Sequence, residues 1–241
     1  MKNDIFHFKE FDVIQSKSAM KIGTDAVLLG AWVPLTHTEL KVLDIGAGTG
    51  VLSLQIAQRS IADTIDAVEI DPDAFEECVT NFENSPWGDR LFCYHAGFVE
   101  FYSEMEETYD LIISNPPFFQ SPLNSESKIN SRETARFQDR LNFEELLKGV
   151  SVLLAEDGQF SLILPYPKME EFIQKAEDYA LFPTTILNVR GHSSSSLKRS
   201  LITFRRNKEE TIKQNELIIE LERHHYTQDY IDLVKDFYLK M

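Results

Sequence analysis

Short apolar runs alternate with amphipathic stretches through most of the chain, and this alternation constrains the fold more than any other feature of the sequence. The seven apolar runs occupy residues 41–45, 65–70, 91–95, 111–114, 159–164, 181–189 and 201–205. Helical patterns fill most of the gaps, at residues 52–59, 72–84, 143–154 and 169–179. Strands that alternate with helices form a mostly parallel sheet. The sequence therefore predicts an α/β fold with a seven-stranded, mostly parallel sheet and helices on both faces.

The two ends of the chain carry patterns of their own. Residues 6–15 alternate loosely, as a strand pair does, and Thr24 is placed to cap a helix over 26–33. Near the other end, residues 216–221 predict a strand and residues 226–239 an amphipathic helix. A chain of 241 residues suits one α/β domain. We therefore predict a single domain over 1–241, made of a strand pair and helix (1–35), a core (36–210), and a C-terminal strand and helix (211–241).

The composition excludes several classes of protein. The longest nearly unbroken apolar run, residues 26–35, is about half a membrane span, and the first residues lack the pattern of an export signal. Cys78 and Cys93 show no C-x-x-C spacing, and none of the six histidines has metal-ligand spacing. We therefore predict a cytoplasmic globular protein, a monomer without a metal ion or a membrane partner, in which both cysteines are small buried residues.

The net charge of −15 argues against a nucleic-acid partner, but the charges are unevenly distributed. Residues 61–110 contain 14 acidic side chains and one basic one, whereas residues 190–208 contain six basic side chains and no acidic one. A smaller basic set lies in the polar stretch 120–142, which predicts a long loop. This asymmetry allows a polyanion on one face, although solvated surface charges would give the same pattern.

A glycine-rich loop follows the first strand of the core. Asp44 lies at the end of the run KVLDI, and Gly46, Gly48 and Gly50 alternate after it. Glycine lets the backbone turn sharply from strand to helix and lets a ligand approach without a Cβ in the way. Dinucleotide-binding enzymes and plain tight turns use such loops too, although the spacing here is not G-x-G-x-x-G. The loop predicts a ligand site at the carboxyl ends of the strands.

Two acidic residues, Glu69 and Asp71, end the next strand, and Glu69 lies 19 residues beyond Gly50. A carboxylate at such a strand end can accept both hydroxyls of a ribose, although an ordinary exposed strand-end acid is the alternative reading. Loop and acids together resemble the class I S-adenosylmethionine-dependent methyltransferases, which have a Rossmann-like core. The resemblance implies that the glycine loop faces the methionine part of the cofactor, that Glu69 binds its ribose, and that Asp71 also contacts the cofactor. Asp44 would lie near the cofactor's ammonium group or a water bound to it.

The most specific motif is Asn-Pro-Pro-Phe, at the end of the strand YDLIIS. Two prolines stiffen the backbone where the strand ends, and an aromatic ring follows. The side-chain oxygen of Asn115 and the main-chain carbonyl of Pro116 can accept the two N–H bonds of a planar amino group while Phe118 stacks on its ring. Such preorganised acceptors suit methylation of a weakly nucleophilic nitrogen. The alternative is a proline-terminated strand with a core phenylalanine.

This motif resembles the amino-methyltransferases, and three further stretches resemble one family among them, the bacterial valine-tRNA adenine N6-methyltransferases. These stretches are MKIGTDAVLLGAW at 20–32, FENSPW at 82–87 and YIDLVKDFYLK at 230–240. The resemblance implies that Lys21, Gly23 and Thr24 border the cofactor. It departs from the general pattern after the third strand, where an acid often binds the cofactor's adenine; here backbone groups of Gly97 or Phe98 would serve instead. Phe137 replaces a histidine common in the family, so no role transfers to it.

The sequence thus predicts an enzyme that methylates the N6 amino group of an adenine in tRNA, with S-adenosylmethionine as cofactor. An anticodon-loop base is largely single-stranded, so extruding it costs less than in a duplex. Six residues are expected to contact the RNA, namely Pro117, Phe119, Arg132, Arg136, Lys198 and Arg199.

Other substrates and classes stay open at this point. Methylation of a guanine amino group in ribosomal RNA is the closest competitor in the same chemistry. Methylation of a protein glutamine or of DNA adenine would need a larger recognition region than the sequence offers. A nicotinamide-dependent dehydrogenase explains the glycines and Glu69 but not the Asn-Pro-Pro-Phe motif. A non-catalytic cofactor-binding module leaves the reacting residues without a purpose.

Overall fold

A computed structural model of the chain describes residues 4–18, 20–36, 39–116 and 142–241. Two short strands, β1 (Ile5–His7) and β2 (Asp12–Ile14), pair with each other apart from the main sheet. The strands of the main sheet are β3 Lys41–Ile45, β4 Thr64–Glu69, β5 Leu91–His95, β6 Tyr109–Ser114, β7 Leu154–Pro165, β8 Phe182–His192, β9 Arg199–Arg205, β10 Lys213–Glu222 and β11 His225–Tyr226. The helices are α1 Thr24–Trp32, α2 Val51–Arg59, α3 Pro72–Glu83, α4 Phe98–Glu104, α5 Phe143–Leu153, α6 Met169–Glu177 and α7 Gln228–Val234.

The strand order across the main sheet is β11-β10-β8-β9-β7-β6-β3-β4-β5. Neighbouring strands are parallel, except that β9 runs antiparallel to both β7 and β8 and β11 runs antiparallel to β10. Strands β3 to β9 correspond to the seven predicted runs, and β10 and β11 extend the sheet beside β8. The carboxyl ends of the parallel strands therefore lie at one edge, here called the carboxyl edge, where ligands bind in sheets of this kind.

Successive side chains of the central strands enter two separate cores, one on each face of the sheet. On β6, Leu111 and Ile113 pack in a core that includes residues of α1, α2 and α3, whereas Ile112 packs in a core with α4, α5 and α6. This two-residue period is what a strand buried on both faces requires. The predicted helices on both faces are thus confirmed.

The two ends of the chain pack together on the first of these faces. Phe8 pairs with Tyr238 across an isolated antiparallel bridge, and the Lys9 backbone N–H donates to the Phe237 carbonyl at 2.9 Å. The ring of Trp87 lies edge-on to Phe11, 5.9 Å between centroids. The FENSPW stretch and the C-terminal stretch that carried the family resemblance therefore both contact the N-terminal strand pair or the loop that joins its strands.

Several local predictions need correction. Thr24 does not cap α1, because Gly23 is the N-cap and no side chain bonds the exposed N–H groups there. The C-terminal helix is shorter than predicted: Tyr226 belongs to β11, Thr227 caps the helix, and α7 ends at Val234. Helix α4 was not predicted, because only two of its seven residues are buried and they are too few to show a period. The predicted loop at 120–142 lies outside the described residues, apart from Asn142, which caps α5.

None of the helices in the described residues has the length and apolarity that crossing a bilayer requires. Cys78 is fully buried and Cys93 half-buried, and both are free thiols.

Candidate cofactor and substrate site

The glycine loop connects β3 to α2 at the carboxyl edge, and its glycines adopt a left-handed backbone. Gly46, Gly48 and Gly50 have φ angles of +71°, +58° and +79°. A Cβ at Gly46 or Gly48 would meet no atom of the described residues within 4 Å, so open space borders the loop there. A Cβ at Gly50 would lie only 2.5 Å from the Phe82 ring. The first two glycines leave room for a ligand, and the third is required by packing.

Glu69 ends β4, the strand beside β3, and its buried carboxylate holds the glycine loop. One oxygen accepts a hydrogen bond from the Gly48 N–H at 2.7 Å, and the other accepts from the Asp71 N–H at 2.8 Å. Each carboxylate oxygen has a second lone pair. Glu69 can therefore clamp the loop and still accept ribose hydroxyls. Asp71 caps α3 by accepting from the N–H groups of Asp73 and Ala74, so its proposed cofactor contact adds to a structural role.

Asp44 supplies a buried carboxylate with one oxygen unpartnered among the described residues. Its Oδ2 accepts hydrogen bonds from Ser53 Oγ at 2.8 Å and from Ser53 N at 3.2 Å, whereas Oδ1 has no such partner. Burial raises the pKa of Asp44 to about 7. An uncompensated buried carboxylate is costly, and a cationic ligand group would offset that cost. The loop, Glu69 and Asp44 thus fit S-adenosylmethionine, which carries an ammonium group and a ribose.

The Asn-Pro corner follows β6, the other neighbour of β3. Ser114 is the register partner of Ile45, and its Oγ donates to the Ile45 carbonyl at 2.8 Å. Asn115 therefore follows β6 at the same level at which Gly46 follows β3. Asn115 is half-buried and Pro116 is buried. Pro117, Phe118 and Phe119 lie outside the described residues, so their predicted contacts stay predictions.

Gly97 and Phe98 follow β5, on the outer side of Glu69. Gly97 precedes the first turn of α4, and the Ala96 N–H donates to the Glu69 carbonyl at 3.2 Å. The ring of Phe98 is buried and packs edge-on against Tyr102, 5.4 Å between centroids. Its side chain therefore belongs to the core, and only the backbone at 97–98 is placed to meet a cofactor, which stays a prediction.

The segment with Lys21, Gly23 and Thr24 also reaches the carboxyl edge. Asp25, in the first turn of α1, accepts a hydrogen bond from Arg199 Nε at 2.6 Å. Arg199 begins β9 opposite Pro165, the last residue of β7, so this ion pair lies at the carboxyl edge. Lys21 is exposed. The predicted cofactor contacts of these residues are compatible with their place in the fold and stay predictions.

The basic cluster at 190–208 divides between two edges of the sheet. Lys198 and Arg199 lie at the carboxyl edge, in the hairpin that joins β8 to β9. Arg205 lies opposite Phe182, at the other end of β9, and Arg206 donates to the carbonyls of Ser151 and Leu154. Of these, Lys198 is exposed at the carboxyl edge, whereas the Arg199 guanidinium forms an ion pair with Asp25. Arg132 and Arg136 lie outside the described residues.

Three buried polar residues that support the site were not predicted. Ser53 donates a hydrogen bond to Asp44. Glu77 and Asn81 on α3 bind the part of the chain before α1, which we call the N-terminal arm, at Ser18 and Ile14. Asn81 Nδ2 also donates to the Thr49 carbonyl in the glycine loop at 2.9 Å. The sequence signal for each of them is a polar residue within the apolar stripe of a helix, which indicates a buried side chain that needs a hydrogen-bond partner. No group of three or more His, Cys, Asp or Glu residues in the described part of the chain could hold a metal ion.

Comparisons with known proteins point to methyltransferases. A model of the methyltransferase small domain family matches residues 7–163. The chain is 51% identical over 237 residues to the tRNA1(Val) (adenine(37)-N6)-methyltransferase of Flavobacterium johnsoniae, which covers 98% of this chain and 100% of the relative. It is 42% identical to the Bacteroides fragilis protein of the same name, with full coverage of both. A crystal structure of a predicted O-methyltransferase from Agrobacterium tumefaciens resembles the fold, with a TM-score of 0.67 at 20% identity, covering 88% of this chain and 96% of that one.

Proposed function

Because this chain belongs to the family of tRNA1(Val) (adenine(37)-N6)-methyltransferases, we propose that its carboxyl-edge site methylates the N6 amino group of an adenine in tRNA. S-adenosylmethionine is the methyl donor. The names of the relatives specify adenine 37 of tRNA1(Val), and we assign the same base to this chain. The observation that carries this function is the pairing of Ser114 with Ile45, because it brings the Asn-Pro corner level with the glycine loop.

Cofactor binding rests on groups that neighbouring strands bring together. The glycine loop leaves open space beside Gly46 and Gly48, Glu69 would accept the ribose hydroxyls, and Asp44 Oδ1 would receive the ammonium group. The bound cofactor supplies a methyl group made electrophilic by its sulfonium. These residues fix where that methyl group lies, and proximity lowers the barrier because the reactants no longer need to find each other.

The Asn-Pro corner would hold the amino group that is methylated. The amide oxygen of Asn115 and the carbonyl oxygen of Pro116 accept its two N–H bonds, which restrains the rotation of the amino group. As the nitrogen becomes tetrahedral and gains positive charge, its N–H groups become stronger donors. The two hydrogen bonds therefore strengthen in the transition state and lower the barrier. One N–H proton then passes to water, which restores the neutral amine.

Recognition of the RNA is proposed for the rim around this corner. Lys198 lies exposed on the hairpin, where it can contact a phosphate, and we assign Arg132 and Arg136 the same role. Phe118 would stack on the extruded base, with Pro117 and Phe119 beside it. The ion pair with Asp25 leaves part of the Arg199 guanidinium for the RNA.

Three broader features belong to the same proposal. We propose that the chain works as a single domain, which is supported by the addition of β10 and β11 to the main sheet. We also propose that it acts in the cytoplasm, where tRNA is modified, and as a monomer. The donors and acceptors at the site account for the chemistry of methyl transfer, so we propose that it needs no metal ion.

The direct test is transfer of a tritiated methyl group from S-adenosylmethionine to tRNA, followed by nucleoside mass spectrometry. The product expected is N6-methyladenosine. Asn115→Ala should lower kcat by about 100-fold or more, as loss of a preorganised hydrogen-bonding group does elsewhere, while S-adenosylmethionine affinity stays within about threefold. Unchanged turnover in this variant would remove Asn115 from the mechanism, and methylated guanosine as the product would refute the assigned base.

A further inference from the structure

The N-terminal arm crosses from α3 to α1 at the carboxyl edge, through a stretch that we call the crossing segment (residues 16–25, all described except residue 19). On the first face of the sheet, α2 lies between these two helices. Helix α2 packs against β3 and β4, α3 packs against β4 and β5, and α1 packs against α2 and β7. A chain that passes from α3 to α1 must therefore pass α2.

The directions of α1 and α2 show at which end of these helices the crossing segment passes. Arg59, in the last turn of α2, donates to the carbonyls of Gly30 and Val33 at the end of α1, at 2.6 and 3.0 Å. Helices α1 and α2 therefore run side by side in the same direction. Their first turns, after Gly23 and Gly50, lie at the same edge of the sheet. The crossing segment thus passes the glycine loop, which leads into the first turn of α2.

One end of the crossing segment is bound by a single buried side chain, Glu77 on α3. One carboxylate oxygen of Glu77 accepts from Ser16 Oγ at 2.8 Å and from the Lys17 N–H at 2.5 Å. The other oxygen accepts from the Ser18 N–H at 2.7 Å and from Ser18 Oγ. Glu77 is 3% exposed, so these four donors replace the water that its charge would otherwise bind. The other end of the segment is held by the ion pair of Asp25 with Arg199.

We propose that Glu77 is a positioning residue for the cofactor: its four hydrogen bonds hold the crossing segment against the glycine loop, so that Lys21, Gly23 and Thr24 can meet S-adenosylmethionine. This inference rests on the proposed function, because it takes that cofactor as the ligand of the loop. Helix α3 and the residues just before it then serve one site. Glu69 and Asp71 precede its first turn, and Glu77 lies on its second.

Loss of these hydrogen bonds weakens cofactor binding in a calculable way. A ligand that needs the docked segment binds with an apparent Kd raised by the inverse of the fraction docked. An amide in place of the carboxylate can accept at only one of its two atoms. Glu77→Gln therefore leaves one of the two donor pairs, Ser16 with Lys17 or Ser18 alone, without an acceptor. If the segment is then docked one tenth of the time, the Kd rises about tenfold.

The test compares Glu77→Gln with Glu76→Gln in the full-length protein. Glu76 is the neighbouring exposed residue, and its carboxylate forms an ion pair with Lys17 Nζ, at 2.6 Å. The control therefore removes the same charge from the same helix and loosens the same part of the arm at its surface. Calorimetry measures the S-adenosylmethionine Kd. Limited trypsin digestion measures the rate of cleavage after Lys17 and Lys21, and this readout does not depend on methyltransferase activity.

We expect Glu77→Gln to raise the Kd about tenfold and the trypsin cleavage rate at least tenfold, with kcat at saturating cofactor within threefold of wild type. Glu76→Gln should stay within twofold in all three measurements. A merely structural role for Glu77 would lower kcat and the circular dichroism signal together, without a selective change in Kd. A Kd for Glu77→Gln within twofold of the control would overturn the proposal.

A second variant covers the case in which Glu77→Gln does not fold. Ser18→Ala keeps the backbone donor and removes only the hydroxyl bond to Glu77. It should raise the Kd about threefold, and an unchanged Kd would overturn the proposal. A wild-type protein that binds S-adenosylmethionine but methylates no tRNA would refute the proposed function, while the calorimetric and proteolytic results would still decide the role of Glu77.

Discussion

The affinity for S-adenosylmethionine should depend on pH through Asp44. Burial raises the pKa of this carboxyl to about 7 in the free protein, so below pH 7 it is mostly neutral. A cofactor ammonium beside Oδ1 favours the ionised form, and binding therefore releases the Asp44 proton. The apparent Kd then contains the factor 1 + 10^(pKa − pH). For a pKa of about 7, this factor falls about fifteenfold between pH 5.5 and pH 7.

Calorimetry at a series of pH values, in buffers of different ionisation enthalpy, would measure both the Kd and the proton release. Asp44→Asn should bind weakly and give a flat profile over the same range. 5′-Methylthioadenosine, which lacks the amino-acid part of the cofactor, should give a flat profile with the wild-type protein. A wild-type Kd that does not change between pH 5.5 and pH 7 would refute the contact between Asp44 and the ammonium group.

The ionisation of Asp44, which should favour cofactor binding, should lower the stability of the free protein. A folded-state pKa of about 7, above the 3.8 of an ordinary aspartate side chain, means that the folded state binds this proton more tightly than the unfolded state. The contribution of Asp44 to stability is therefore fully present below pH 4 and is lost as the pH rises through about 7. Three pKa units correspond to about 4 kcal/mol. Asp44→Asn should thus raise the free energy of unfolding at pH 8, by up to that amount, while it weakens cofactor binding.

Two further predictions concern the glycine loop and the RNA. Gly50→Ala should destabilise the fold by about 2 kcal/mol in urea unfolding, because φ is +79° and the new Cβ would lie 2.5 Å from Phe82. Gly23→Ala is the matched control, since its Cβ would meet nothing within 4 Å. Equal stability of the two variants would contradict the argument. Lys198→Glu should raise the tRNA KM and flatten its salt dependence, by about one unit of log–log slope for the lost phosphate contact. Lys208→Glu, beyond the opposite end of β9, should change neither, and equal effects of both charge reversals would make the carboxyl edge irrelevant to RNA binding.

The sheet and the residues at its strand ends were predictable from the sequence. The runs at 41–45 and 91–95 match β3 and β5 residue for residue. Strand β3 is a central strand buried on both faces, and such strands appear as mainly apolar runs with sharp ends. Strand β5 is an outermost strand of which only Leu91 is buried, and its match rests on apolar and aromatic residues alone. Asp44 is the last residue but one of β3, Glu69 ends β4 and Asn115 follows β6, and the parallel order alone brings them to one edge. Strand ends can therefore be located before any tertiary contact is known.

The contacts that hold the N-terminal arm were not predictable. Asp25 and Arg199 are 174 residues apart in the chain, and Ser18 and Glu77 are 59 apart. A local pattern shows that a side chain is charged or exposed but not which distant group it meets. The error at Thr24 has a similar origin: a threonine before an apolar run suits a helix cap, but here the helix begins one residue earlier.

The uneven distribution of charge across the sheet offers a way for a protein of net charge −15 to accept RNA. The acid-rich stretch 61–110 supplies β4 and β5, at one side of the sheet, and the basic hairpin joins β8 to β9, on the other side of β6. The Asn-Pro corner follows β6, between the two. A polyanion that approaches this edge is attracted toward the hairpin and repelled from β4 and β5, so the field favours one orientation. In that orientation the base would enter beside Asn115, its proposed site, and the cationic cofactor would lie on the acidic side.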